Sequence, residues 1–198
     1  GGSGYINTVR SGHVYGNTHV SISGSPTIYH NIYGGGAYGS VGDFSYVMTD
    51  DAQADTKKVT GILGLHADRS GTGIANVTIT GGTIGVDGHE NGMVFGSSRG
   101  DVAAPTGSPA VDPNDRLAWV YDTHVVIGNS TSSGGPSIKG TVYGSGENGH
   151  TFNNTLVDVN KGTIGIETDA EITYTENGKS FTKGGAAYPY RGNVYGGG

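Results

Sequence analysis

The sequence predicts an all-β chain wound as a parallel β-helix, or β-solenoid, with three short strands per turn and loop or hairpin insertions. Three observations lead there: the composition, a set of short phrases that recur in fixed order, and spacings that are constant at some corners and elastic at others. Of 198 residues, 39 are Gly, 12 are Tyr and none is Cys. Val and Ile together number 31 and Thr 21, against only 4 Leu. β-branched and aromatic side chains suit a pleated surface, and the shortage of Leu argues against helices. So much Gly with only 6 Pro fits neither collagen nor a Pro-rich linker. The apolar residues are numerous enough to build a core, which argues against disorder.

The first phrase is an apolar–aromatic–Gly run: Val14-Tyr15-Gly16, Ile32-Tyr33-Gly34, Val94-Phe95-Gly96, Val142-Tyr143-Gly144 and Val194-Tyr195-Gly196. It is read as strand A. The second alternates apolar residues across one intervening position: Val20 and Ile22, Val77 and Ile79, Val125 and Ile127, Val157 and Val159. It is read as strand B, and period-two alternation sends these pairs into the core. The third is Thr27-Ile28, Thr83-Ile84, Ser137-Ile138 and Thr163-Ile164, read as strand C. The tightest circuit, Val14 to Ile32, is 18 residues long. The other circuits lengthen at their corners, with insertions at 36–74, 99–118 and 167–190. A stack of turns tolerates such variation, because each strand pairs only with its counterpart about 4.8 Å away on the next turn. The coil is expected to be right-handed. The competing all-β architecture, a sandwich of hairpins, needs tight turns between most runs, and the A-B-C order supplies none.

Within 167–190, Ile172-Thr173-Tyr174-Thr175 and Ser180-Phe181-Thr182 flank Asn177-Gly178, the preferred pair for a two-residue hairpin turn. Pro105, Pro109 and Pro113 mark 99–118 as an irregular loop. In 36–74, Ile62-Leu63-Gly64-Leu65 suggests a partial extra turn and 51–58 a short helix.

The phrases Val77-Thr78-Ile79-Thr80-Gly81-Gly82-Thr83-Ile84-Gly85 and Asn193-Val194-Tyr195-Gly196-Gly197-Gly198 resemble the repeats of very large surface proteins of Bacteroides-type gut bacteria. That resemblance covers most of the chain outside the insertions. It implies an adhesin-like parallel β-helix at the bacterial cell surface and carries no catalytic residues with it.

Functional classes narrow accordingly. Eleven basic against 17 acidic residues, a net charge of −6, give no footprint for nucleic acid. No apolar run is long enough to span a bilayer. Absence of Cys removes disulfides and thiolate metal sites, and is compatible with an exported bacterial protein. The A-strand aromatics Tyr15, Tyr33, Phe95, Tyr143 and Tyr195 are expected to form a column. The four tyrosines are the candidate sugar-stacking residues, against a purely structural ladder. Arg99-Gly100-Asp101 is a candidate adhesion tripeptide at the head of an insertion. The outward face of strand B offers Asp158 with His19 and His124, too few titratable groups for acid–base catalysis on sugars. The seven histidines show no zinc-protease spacing. The acidic loops 87–92 and Asp50, Asp51 and Asp55 miss the known calcium repeats. No catalytic residue, metal or cofactor is therefore expected. The leading expectation is a structural segment of an extracellular stalk or fibre. It would be continued end to end by further repeats or copies of itself, with its loops open to adhesion. A glycan-binding module comes next and a glycan-active enzyme third.

Overall fold

The computed structural model describes residues 12–43, 46–48, 65–67, 71–86, 91–100, 118–131, 133–166, 172–183 and 192–197. All regular elements among them are strands. The chain order begins β1 (Thr18–Ile22), β2 (Thr27–Ile28), β3 (Ile32–Tyr33), β4 (Tyr46–Met48) and β5 (Leu65–Ala67). It continues β6 (Ile74–Ile79), β7 (Thr83–Ile84), β8 (Val94–Phe95), β9 (Trp119–Val120), β10 (Asp122–Ile127), β11 (Ser137–Ile138), β12 (Val142–Tyr143) and β13 (His150–Thr151). It ends β14 (Thr155–Val159), β15 (Thr163–Ile164), β16 (Ile172–Glu176), β17 (Lys179–Lys183) and β18 (Val194–Tyr195).

Three four-stranded parallel sheets gather the recurring phrases. Strand B forms β1-β6-β10-β14, strand C forms β2-β7-β11-β15 and strand A forms β3-β8-β12-β18. Register is the one the apolar alternation demands. Val20, Val77, Val125 and Val157 align, as do Ile22, Ile79, Ile127 and Val159. Ile28, Ile84, Ile138 and Ile164 align in the second sheet. Ile32, Val94, Val142 and Val194 align in the third. Apart from the exposed Val159 and Val194, these columns make one core, in which Ile79, Ile84, Ile127 and Ile138 are fully buried. Each such side chain stabilises the fold by roughly 1.5–3 kcal/mol. A one-residue slip in any sheet would turn its whole column to solvent, so the pattern fixes the register.

To the three expected ladders the structure adds another. Between strand A and strand B lies a fourth parallel ladder, in which Val14 pairs with Val41, Val41 with Val120, and β9 with β13. Val41, Ala75 and Val120 form a second, smaller core, against which Val14 packs. The phrase around Val14 is therefore not a strand A. It imitates one in sequence but sits one face further along. The corner joining strand A to the fourth ladder buries hydroxyls instead of aliphatics. Ser98 Oγ donates to the Gly39 carbonyl at 2.9 Å and accepts from Gly36 N–H, and Ser40 Oγ accepts from Trp119 N–H at 3.1 Å. Buried polar groups stay only when paired in this way.

Residues at the edges of the first two expected insertions bond to the ladders. Residues 36–41 follow the ladders, and the first insertion is pinched off where Asp43 and Thr72 exchange backbone hydrogen bonds. Its described part is the antiparallel pair β4–β5, which takes Leu65 out of the expected partial extra turn. The residues 51–58 and 62–64 lie outside the described residues. Arg99, Gly100 and Ala118, expected inside the second insertion, bond to Gly36, Ala37 and Tyr38 of the previous turn. The third insertion holds the expected hairpin: β16 and β17 pair antiparallel around Asn177 (φ 51°) and Gly178 (φ 74°). Left-handed values at both central residues define the primed turn that suits twisted strands.

Candidate functional site

The aromatic column is the most regular side-chain feature of the molecule. Tyr33, Phe95, Tyr143 and Tyr195 occupy the position after the aligned aliphatic of strand A, which is buried at Ile32, Val94 and Val142, so they stand on its outer face. In-register parallel pairing sets identical positions about 4.8 Å apart. The rings stack at that spacing, with centroids 5.1, 5.0 and 5.2 Å apart and interplanar angles of 6°, 8° and 17°. Phe95, clamped between two neighbours, is only 6% exposed although it points away from the core. Aromatic pairs of this kind contribute about 0.5–1.5 kcal/mol each beyond their buried area. The interior rings, Phe95 and Tyr143, have both faces covered by neighbours. A sugar stacks on an open ring face, and these two offer only an edge.

Tyr15 stands apart from this column, contrary to expectation. It follows Val14 in the fourth ladder, is 56% exposed, and stacks on His13 with centroids 4.1 Å apart. Its apolar–aromatic–Gly phrase is that of the column tyrosines, but strand B follows at once: Val14 to Val20 is 6 residues, against 15 from Val142 to Val157.

The Gly after the column aromatic is a steric requirement at Gly34, Gly96 and Gly144, whereas nothing lies within 4 Å of the absent Cβ of Gly196. Gly34, Gly96, Gly144 and Gly196 follow the aligned rings, with Gly34 N–H donating to Phe95, Gly96 N–H to Tyr143 and Gly144 N–H to Tyr195 carbonyls. A Cβ on Gly34 would land on the Gly96 carbonyl oxygen, one on Gly96 on that of Gly144, and one on Gly144 on that of Gly196. Across the corner, hydroxyls from the start of strand B secure the same glycines. Thr18 Oγ1 donates to the Gly34 carbonyl at 2.6 Å, Thr123 to Gly144 and Thr155 to Gly196.

At its upper end the column meets a polar clasp that the sequence did not disclose. The Tyr33 hydroxyl donates to Glu147 Oε2 at 2.6 Å and accepts from Asn31 Nδ2 at 3.3 Å. Arg99 Nε lies 3.6 Å from the same carboxylate oxygen. Tyr33 of β3, Arg99 after β8 and Glu147 after β12 are thus tied through the Glu147 carboxylate. Burial, and then the bond to the Glu147 carboxylate, push the Tyr33 phenol up from 10.0 to about 12. The guanidinium of the candidate adhesion tripeptide is therefore engaged with Glu147. Gly100 is held against Asn148, where a Cβ would collide with its carbonyl group. Asp101 lies outside the described residues.

Other candidates are scattered. His124 Nε2 pairs with Asp158 Oδ2 at 2.9 Å on the open outer face of strand B, one turn apart. His19 lies two turns from His124 in the same row. Among the described residues no group of three or more His, Asp or Glu is placed to hold a metal. Asp50, Asp51, Asp55 and 87–90 lie outside the described residues. A shallow groove of about 490 Å³ runs along the corner between strands B and C, lined by Ser25, Thr80, Thr83, Ser133, Ser137 and neighbouring glycines. It is uncharged and carries no aromatic ring. No helix among the described residues is long and apolar enough to cross a membrane. Comparison with family models, with curated proteins and with solved structures returned no match.

Proposed function

We propose that the chain is a stretch of parallel β-solenoid whose work is mechanical, as a segment of an extracellular bacterial stalk or fibre. The supporting observation is that the same contacts recur on every turn. Ring lies on ring and Gly on Gly, and strand pairs with strand in register, which makes a lattice that extends along one axis. In such an architecture each turn is stabilised by its neighbours. Among the described residues the outermost rungs, β1, β2 and β3 at one end and β14, β15 and β18 at the other, have a ladder partner on one side. In the proposed fibre, further repeats of the same polypeptide or a second copy continue these ladders. The reading assigns the protein to the cell surface, in keeping with the cysteine-free composition and with the resemblance to gut bacterial surface repeats. It requires no cofactor and no catalytic step. Among the described residues the hairpin β16–β17 pairs with none of the ladders and is the place for adhesive contact.

Cryo-electron micrographs of the native surface material should show filaments with an axial repeat of about 4.8 Å. Particles lacking any axial repeat would sink the proposal. The hydroxyl-lined groove favours glycan binding as the second reading. A glycan array discriminates: specific binding abolished by Thr80→Ala with Thr83→Ala would make recognition, not support, the main activity.

A further inference from the structure

We propose that Asn177 is a site of spontaneous, one-way covalent change, and that this change opens the β16–β17 hairpin while leaving the ladders intact. The chain contains three Asn-Gly pairs, at 91–92, 148–149 and 177–178. The reaction is the same for each in principle. The backbone nitrogen of the Gly attacks the Asn side-chain Cγ, a C–N bond forms, and ammonia leaves with the proton released by that nitrogen. The resulting succinimide takes up water at one of its two carbonyl groups. Opening at one gives Asp, and opening at the other gives an isoaspartyl linkage in which the main chain runs through Cβ and Cγ. No other reactant is needed, and the reaction requires only that the Gly nitrogen can swing onto the side chain.

The structure allows that swing at one pair and obstructs it at two. Asn91 is buried, with its Oδ1 accepting from Val86 N–H at 3.2 Å, and Gly92 is packed against Ile84 and Gly85. Asn148 N–H donates to the Arg99 carbonyl at 2.7 Å, and Gly149 is wedged against the Ser98 and Ala118 carbonyls. Asn177 and Gly178 are both exposed, and a Cβ built on Gly178 meets nothing within 4 Å. They cap a sheet of only two strands, and such a sheet opens at little cost. Reaction at the two ladder pairs must wait for a turn of the stack to open, which slows it about tenfold for every 1.4 kcal/mol of opening.

The consequence follows from turn geometry. A two-residue primed turn sets the register of β16 on β17, with Tyr174 opposite Phe181 and Thr173 opposite Thr182. An isoaspartyl linkage adds one carbon to that turn and lengthens it, so these pairings are lost. The ladders do not change, because β16 and β17 pair only with each other.

The test uses the whole chain, incubated at mildly alkaline pH and digested with trypsin. The three pairs fall in separate peptides, residues 70–99, 140–161 and 162–179, and the last contains Asn177 as its sole Asn. The expected result is conversion in 162–179 first, at a rate within about tenfold of the same chain in urea, with the other two Asn-Gly pairs slower by more than tenfold. Equal rates at the three pairs, or a native rate at Asn177 more than about a hundredfold below that in urea, overturn the proposal. The isoaspartyl form should lose the cross-strand Tyr174–Phe181 proximity in nuclear magnetic resonance spectra while amide protection in the ladders persists. Asn177→Asp, which adds the charge without the extra carbon, should keep that proximity. Survival of the pairing in the isoaspartyl form overturns the structural half of the inference.

Discussion

Glycine at 96 is fixed by what lies next to it. Its missing Cβ leaves room for the Gly144 carbonyl oxygen of the next turn, a backbone atom that cannot rotate away. Gly96→Ala should therefore pry two turns apart and lower stability by about 3 kcal/mol or more, in the range of core overpacking. Gly16 is the internal control, because nothing lies within 4 Å of its absent Cβ. Gly16→Ala should shift the midpoint of urea unfolding by no more than about 1 kcal/mol in either direction. Equal effects of the two changes would show that the glycine column is not a packing column. Tyr33 yields a second test at the same scale. Its phenol titrates near 12 in the folded chain and near 10.0 when free. Between these values the unfolded chain has released its proton and the folded one still holds it, so the contribution present below about pH 10 is lost as pH rises to about 12. The stability of the wild-type chain should fall more steeply across that interval than that of Tyr33→Phe, measured by urea unfolding at each pH. Parallel curves would mean that neither burial nor the Glu147 clasp leaves a mark on the phenol.

Strands β6 and β10 alternate between buried and outer positions, and neighbouring residues therefore differ sharply in tolerance. Ile79 is fully buried and Thr78 stands on the outer face. Ile79→Asp should abolish the cooperative melt, because an unpaired carboxylate among stacked aliphatics costs more than most domains have to spare. Thr78→Asp should melt within a few degrees of wild type, read by far-ultraviolet circular dichroism. Comparable losses in the two would contradict the phase of strand B. That phase was legible in the sequence because four copies of one alternating phrase agree on it. The hairpin was legible too, since Asn177-Gly178 prescribes its own turn chemistry. The fourth ladder was not, because it rests on single residues such as Val41 and Val120 that share no phrase, and on Thr151, which is not even aliphatic. The same gap misplaced Tyr15, whose neighbours copy those of the column tyrosines. The Glu147 clasp was invisible for a different reason. It joins residues 114 positions apart in sequence through side chains that no periodicity marks.

Nearest-neighbour stacking makes a prediction for the molecule as a whole. If stability resides in contacts between adjacent turns, then a complete turn can be removed without destroying the rest. Register fixes the cut. Thr155 occupies over β10 the place that Thr123 occupies over β6, so deleting residues 123–154 joins Asp122 to Thr155 and lowers the last turn onto the second. Val157 then meets Val77, Ile164 meets Ile84 and Val194 meets Val94, and Tyr195 stacks on Phe95 with Gly196 beside Gly96. These inward and column neighbours match the types they replace, while on strand B Asp158 exchanges Val126 for Thr78 and Thr155 exchanges Thr123 for Ala75. The deletion does have costs: it removes the fully buried Ile127 and Ile138, the Glu147 acceptor of Tyr33, and the β13 partner of β9. The shortened chain should keep its strand signal per residue, melt cooperatively at a lower temperature, and be shorter along one axis by about 4.8 Å in solution scattering. In an assembly held together by closed, facing sheets the same cut would remove a central strand from three sheets at once and leave nothing to pack. A chain that stays soluble but loses its cooperative transition would therefore count against one-dimensional stacking, and with it against a fibre built by adding turns.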